Sequence, residues 1–258
     1  MIGVFDSGVG GLSVLREIAH RLPGEAMTYL ADQRFAPYGE RSLDWVRNRS
    51  FEVTDWMLDR GATLIVVACN SASAAALHPL RERHPGVPFV GMEPALKPAA
   101  SLTNSGVIGV LATTATFQGE LFATVLDRHA SNVKVVMQPA PGLAAAVEAG
   151  RERHPETEAL LRSYIEPMLE QGVDTIALGC THYPFLTPLI QAITGSSVRL
   201  IDPAAAVARQ VERLLPDSNP GKRVYATTGD AVRFSDSVEH FVGDRARAEA
   251  VRISRARS

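Results

Sequence analysis

Leu64-Ile65-Val66-Val67-Ala68-Cys69-Asn70-Ser71 and Ile176-Ala177-Leu178-Gly179-Cys180-Thr181-His182 decide the fold. Each is an apolar run that ends in a cysteine followed by hydrogen-bonding residues. Runs of this kind, bounded by polar turns, read as strands buried on both faces of a parallel sheet. Groups just beyond the carboxyl ends of such strands line the ligand crevice of an open α/β sheet. The chain has two cysteines in all, and both fall at these exits. Three echoes in the same order reinforce the pairing. Ile2-Gly3-Val4-Phe5-Asp6-Ser7 is answered by Ile108-Gly109-Val110-Leu111-Ala112-Thr113, Cys69 by Cys180, and Met92-Glu93-Pro94-Ala95 by Ile201-Asp202-Pro203-Ala204. Ordinary α/β periodicity could produce any one of them. Together, at nearly constant spacing, they indicate a duplicated α/β unit whose pseudo-twofold sets the two cysteine loops on either side of one cleft.

Working outward, apolar runs and helical patterns alternate along the whole chain. Strands are expected at 2–5, 27–30, 63–68 and 87–91, then at 107–111, 133–137, 174–178 and 198–201, and a last one at 224–228. Helices are expected at 11–22, 42–59 (capped by Ser42), 72–84, 117–129, 156–171, 186–194 and 204–214, with a short helix holding Val147 and Glu148 and a final one after Asp230. Residues 34–39 and 113–116 read as loops. Strict strand–helix alternation predicts parallel sheets covered by helices on both faces. The expected division is 1–94 plus 205–258 for the first domain, to which the tail returns, and 95–204 for the second.

Composition narrows the function. The chain is 258 residues long, 46% hydrophobic and 21% charged, with a net charge of −2. That balance gives no support for a nucleic-acid or membrane partner, and no apolar stretch reaches the ~18 residues of a bilayer span. The start enters a strand directly with no signal-peptide pattern, so a cytoplasmic setting with reduced thiols is the default expectation. Neither cysteine has a Cys-x-x-Cys partner, which disfavours zinc. Gly8-Val9-Gly10-Gly11 stands where a dinucleotide fingerprint would, but its spacing fails and Asp6 places a negative charge there. Its backbone N–H groups still suit a carboxylate or phosphate. His20, His78, His84, His129, His154 and His240 fall on or beside expected helices and read as surface residues.

An activated cysteine needs a base, a cation or a helix N-terminus nearby. Asp6 ends the strand expected beside that of Cys69, and His182 lies two residues after Cys180. Two thiols with different partners in matching loops suit two acid/base groups working on one carbon. The blocks FDSGVGGL, YLADQRFAPYG, VVACNSASA, GMEPALKPA, LGCTHYPFL and TTGDAVRF resemble, in order, those of the glutamate racemases of the aspartate/glutamate racemase superfamily. The resemblance implies two similar α/β domains with the active site between them, an amino-acid racemase needing no cofactor or metal, a homodimer, and a role in supplying D-glutamate for peptidoglycan. It implies that Cys69 takes the α-proton from D-glutamate and Cys180 from L-glutamate, with Asp6 and His182 assisting. Ser7, Tyr38, Gly39, Asn70, Ser71, Thr116 and Thr181 would bind the substrate's polar ends, and Asp32 and Glu148 match acidic family positions. Ser71 stands where the family usually has Thr. A relative acting on aspartate and a binding protein on the same scaffold are the competing readings.

Overall fold

The computed structural model describes residues 1–215 and 217–253. In chain order the first unit contains β1 (Ile2–Asp6), α1 (Leu12–Arg21), β2 (Met27–Ala31), α2 (Leu43–Leu58), β3 (Leu64–Val67), α3 (Asn70–Arg83) and β4 (Phe89–Gly91). Helix α4 (Leu96–Leu102) leads into β5 (Val107–Ala112), α5 (Thr114–Gln118), α6 (Glu120–His129), β6 (Lys134–Pro139), α7 (Leu143–Glu148), α8 (Pro155–Glu170), β7 (Thr175–Gly179), α9 (Thr187–Thr194) and β8 (Arg199–Ile201). The chain closes with α10 (Ala204–Leu214), β9 (Arg223–Thr227), α11 (Ala231–Val242) and the two-residue β10 (Glu249–Ala250). Two wholly parallel sheets result, ordered β10-β9-β2-β1-β3-β4 and β6-β5-β7-β8. The inner order β2-β1-β3-β4 and the order β6-β5-β7-β8 are the same arrangement, so the sequence echoes mark structural equivalents. Cys69 and Cys180 follow equivalent central strands.

Both sheets are apolar on both faces because helices cover both. Phe5, Leu30, Ile65 and Val67 face α2 and α3 through Val46, Val53, Met57, Ala76 and Leu80. Ile2, Val4 and Val66 face the opposite way, joining Leu12, Leu15 and Ile18 of α1 and Val207 and Val211 of α10 in a core that continues into Leu111, Ile176 and Leu178 of the second sheet. Ile108, Val110 and Ala112 pack against α4 and α6. One core therefore bridges the two sheets.

Several local expectations are corrected. The helix expected at 117–129 is two helices broken at Gly119, where a Cβ would come within 2.6 Å of the Ala74 Cβ on α3. Residues 113–116 are not a loop: Thr113 caps α5, its side chain accepting from Thr116 N. Residues 33–40 carry two 3-10 turns, Gln33–Phe35 and Tyr38–Glu40. His84 is half-buried beside Phe89 and Asp55 and is no surface residue. Ser42 caps α2 as expected, accepting from Trp45 N at 3.3 Å.

The tail strand β9 pairs with β2, and a buried arginine ties this region down. Arg49 on α2 binds both oxygens of Asp32 at 2.7 and 2.8 Å and also reaches the Ile253 carbonyl at 3.3 Å. Thr228, just after β9, donates to Asp32 at 2.8 Å. Asp32 is fully buried and Arg49 is 6% exposed. Removing one partner of such a pair strands a buried charge, so Arg49→Met is expected to lower the unfolding free energy by about 3–5 kcal/mol in urea titrations. A loss of only about 0–1 kcal/mol, typical of an exposed pair, would contradict this role.

Candidate active site

The carboxyl ends of β1, β3, β5 and β7 converge, and the loops leaving them wall one pocket. Cys69 and Cys180 both line it, together with Ser7, Tyr38, Gly39, Asn70, Ser71, Thr181 and His182. Nine of the residues singled out in the sequence thus meet at one surface. Asp6, Asp32, Thr116 and Glu148 lie behind it, each hydrogen-bonded to a residue that lines it. Among the described residues lining the cavity, His182 is the one side chain that can carry a positive charge.

The two thiols have different surroundings. Cys69 is the N-cap of α3, and its sulfur accepts from Ala72 N at 3.5 Å while its thiol faces Ser7 Oγ at 4.0 Å. Burial, followed by the negative charge of Asp6, pushes the Cys69 thiol far above the ordinary range; the helix N–H works in the other direction and is outweighed. Cys180 Sγ lies 3.6 Å from His182 Nδ1, and His182 Nε2 lies 2.6 Å from Glu148 Oε1. Burial alone would keep His182 neutral, but its bonds to Cys180 and Glu148 prevail and raise it well above the usual histidine range. Burial likewise opposes the charge on Glu148, yet His182, Gln33 and Val9 N hold its carboxyl below the ordinary value. When protonated, His182 donates to the Cys180 sulfur on one side and to Glu148 on the other.

Asp6 is fully buried under the Cys69 loop. It accepts from Gly8 N at 2.8 Å and from the Thr181 hydroxyl of the second sheet at 2.9 Å. Burial raises its pKa from 3.8 to about 6, against the lowering effect of His182 and these bonds. Asp32 contacts neither thiol. Its partners are Arg49, Thr228 and the Tyr38 hydroxyl, which donates to it at 2.5 Å and so places the Tyr38 ring against the cavity.

A row of hydroxyls forms another wall. Ser71 lies 2.9 Å from Thr113 Oγ1, Thr113 lies 2.8 Å from Thr116 Oγ1, and Thr116 donates to the Gly179 carbonyl at 3.4 Å. A carbonyl only accepts, and Thr113 Oγ1 already accepts from Thr116 N. All contacts are satisfied together only if protons run from Ser71 to Thr113 to Thr116 to Gly179. Ser71 therefore presents lone pairs to the cavity. Next to it, both amide atoms of Asn70 are buried with no partner among the described residues. Leaving a buried amide unpaired costs roughly 1–3 kcal/mol, so Asn70 is set for a polar guest.

Thr113 was not singled out in the sequence, although its signal was present: it is the repeat equivalent of Ser7. The expectation that Gly8–Gly11 receives an external anion is corrected. Val9 N donates to Glu148 Oε1 at 2.6 Å, so the loop already holds the protein's own carboxylate. The glycines allow this approach, because a Cβ on Gly8 would fall 1.7 Å from Glu148 Oε1 and one on Gly10 2.5 Å from His182 Nδ1. Among the described residues, no three His, Cys, Asp or Glu side chains cluster as a metal site requires, and no helix is long and apolar enough to cross a membrane.

The site can be compared with known proteins. The family model described as Asp/Glu/Hydantoin racemase matches residues 2–211. A glutamate racemase of Ectopseudomonas mendocina is 51% identical over 251 residues, covering 95% of each chain. Among solved structures, glutamate racemase isoform RacE1 from Bacillus anthracis superposes with a TM-score of 0.89 at 33% identity, covering 98% of this chain and 97% of that one. Escherichia coli glutamate racemase, solved with L-glutamate and the activator UDP-MurNAc-ala, gives 0.86 at 32% identity, covering 96% and 97%. The chain belongs to the Asp/Glu/hydantoin racemase family and, within it, to the glutamate racemases, which are isomerases.

Proposed function

We propose that this chain interconverts L- and D-glutamate by passing a proton between the Cys69 and Cys180 sulfurs, with no cofactor. The observation that carries the reading is the pair of thiols lining one pocket beside the unpartnered Asn70 amide. In the L-to-D direction the Cys180 thiolate, accompanied by protonated His182, takes the α-proton. The C–H electrons remain on the α-carbon, and the Cys69 thiol then delivers its proton to the opposite face. The imidazole beside Cys180, and the burial of Cys69 against Asp6, suit the first sulfur to take a proton and the second to give one. The D-to-L direction runs the same steps in reverse.

An α-proton is far less acidic than a thiol, so the developing charge must be met by fixed donors in a cavity that excludes water. Asn70 supplies a neutral donor for a carboxylate, and the lone pairs of Ser71 suit the ammonium. We further propose that residues 1–94 with 205–258, and 95–204, are the two bodies that close on glutamate, that the enzyme works in the cytoplasm as a homodimer, and that its product serves peptidoglycan. The glutamate ligand of the E. coli structure supports the choice of substrate.

Incubation with L-glutamate in D₂O, without added cofactor, should abolish optical rotation while deuterium enters the α-position. Retained rotation with no exchange would reject the proposal. Cys69→Ser and Cys180→Ser should each lose racemisation by roughly 10²–10⁴-fold, the usual worth of a positioned acid or base; near-wild-type turnover in either would exclude a two-thiol route.

Asp6 yields a pH signature. Its folded pKa of about 6 exceeds the unfolded 3.8, so the native state binds the extra proton between these values and stability falls as pH rises through that window. Relative to wild type, Asp6→Asn should therefore gain about 2–4 kcal/mol of unfolding free energy between pH 4 and pH 7. A pH-independent difference would show that Asp6 is not held in this way.

A further inference from the structure

A hydrogen-bond chain reaches the Cys180 sulfur from the first sheet, and its direction is determined link by link. Gly229 N donates to Thr227 Oγ1 at 3.0 Å, so the Thr227 hydroxyl turns its own proton to Gln33 Oε1 at 2.9 Å. With its oxygen taken, Gln33 must present its amide N–H₂ to Glu148, and Nε2 donates to Oε2 at 3.1 Å. The other oxygen of Glu148 faces His182, which in turn faces Cys180. Thr227 is fully buried and Gln33 half-buried. Gln33 and Glu148 also line a second, open pocket that neither thiol lines, so the amide occupies a position where water competes for the carboxylate.

We infer that Gln33, oriented by Thr227, is a positioning residue for the Cys180 half-reaction: it fixes the Glu148 carboxylate from the first sheet and thereby the imidazole that serves the second sulfur. Gln33 does not line the reaction cavity, so its effect is on proton transfer and not on substrate binding. The effect falls mainly on one side, because the hydrogen bonds of the Cys69 sulfur run to Ser7 and Ala72 and involve neither Gln33, Glu148 nor His182. A general loosening of the seam would disturb both sides. The inference rests on the two-thiol reading given above.

The one-sidedness can be measured. Gln33→Leu should lower kcat about tenfold, the scale of a lost hydrogen bond to a charged group, with KM changed less than twofold. The primary isotope effect should rise with 2-deutero-L-glutamate, whose deuteron goes to Cys180, and fall with 2-deutero-D-glutamate, whose deuteron goes to Cys69. Isotope effects that stay fixed or move in parallel, or a rise in KM with kcat unchanged, would overturn the inference. Should Gln33→Leu not fold, Thr227→Val removes the proton that orients the amide, and the same divergence of the two isotope effects decides the matter. A failure of the two-thiol reading would look different, as retained turnover in a cysteine variant of the otherwise wild-type enzyme.

Discussion

Carboxylates buried at the seam between the sheets, each satisfied from the opposite side, hold the rest of the structure in place. Glu148 of the second unit is held by Val9 and Gln33 of the first, and Asp6 of the first by Thr181 of the second. A buried charge without partners costs far more than any single contact returns. The two halves are therefore driven into the one relative placement that satisfies both carboxylates, and in that placement the two sulfurs line the same cavity. Assembly of the seam and assembly of the site are one event.

The same carboxylates make the site chemically lopsided although the fold is duplicated. Asp6 stands behind Cys69 and raises it, whereas Glu148 stabilises a charged imidazole beside Cys180. Divergence of the two repeats is concentrated here: Asp6 corresponds to Ala112, and His182 to Ser71. A duplicated scaffold thus carries unlike partners beside its two sulfurs.

Much of this could be read in the sequence, because it depends on local pattern. Apolar runs ending in Cys69 and Cys180 located the strand exits, and the echo of Ile2–Ser7 in Ile108–Thr113 located the equivalent loops. Other features escaped for physical reasons. Helix α4 was not anticipated; its seven residues carry Pro98 in the first turn, where a proline is tolerated. Gly119 looked like an interior residue of one helix, and only the nearby Ala74 explains the break. That Glu148 would fill the Gly8–Gly11 loop depends on a side chain crossing 139 residues of sequence separation, which no local pattern encodes. Asp32 looked like a site acid, and its commitment to Arg49 appears only when α2 is laid against the end of β2.

The cavity is walled by amides, hydroxyls and sulfurs, and His182, its one cationic side chain, is already shared between Glu148 and Cys180. A guest of net negative charge thus meets no unshared cation among the described residues that line the pocket, on a chain that is itself slightly negative. Long-range attraction cannot hasten the encounter, so capture depends on shape and on hydrogen bonds made after contact. Recognition in such a pocket rests on where donors and lone pairs stand, not on opposite charge.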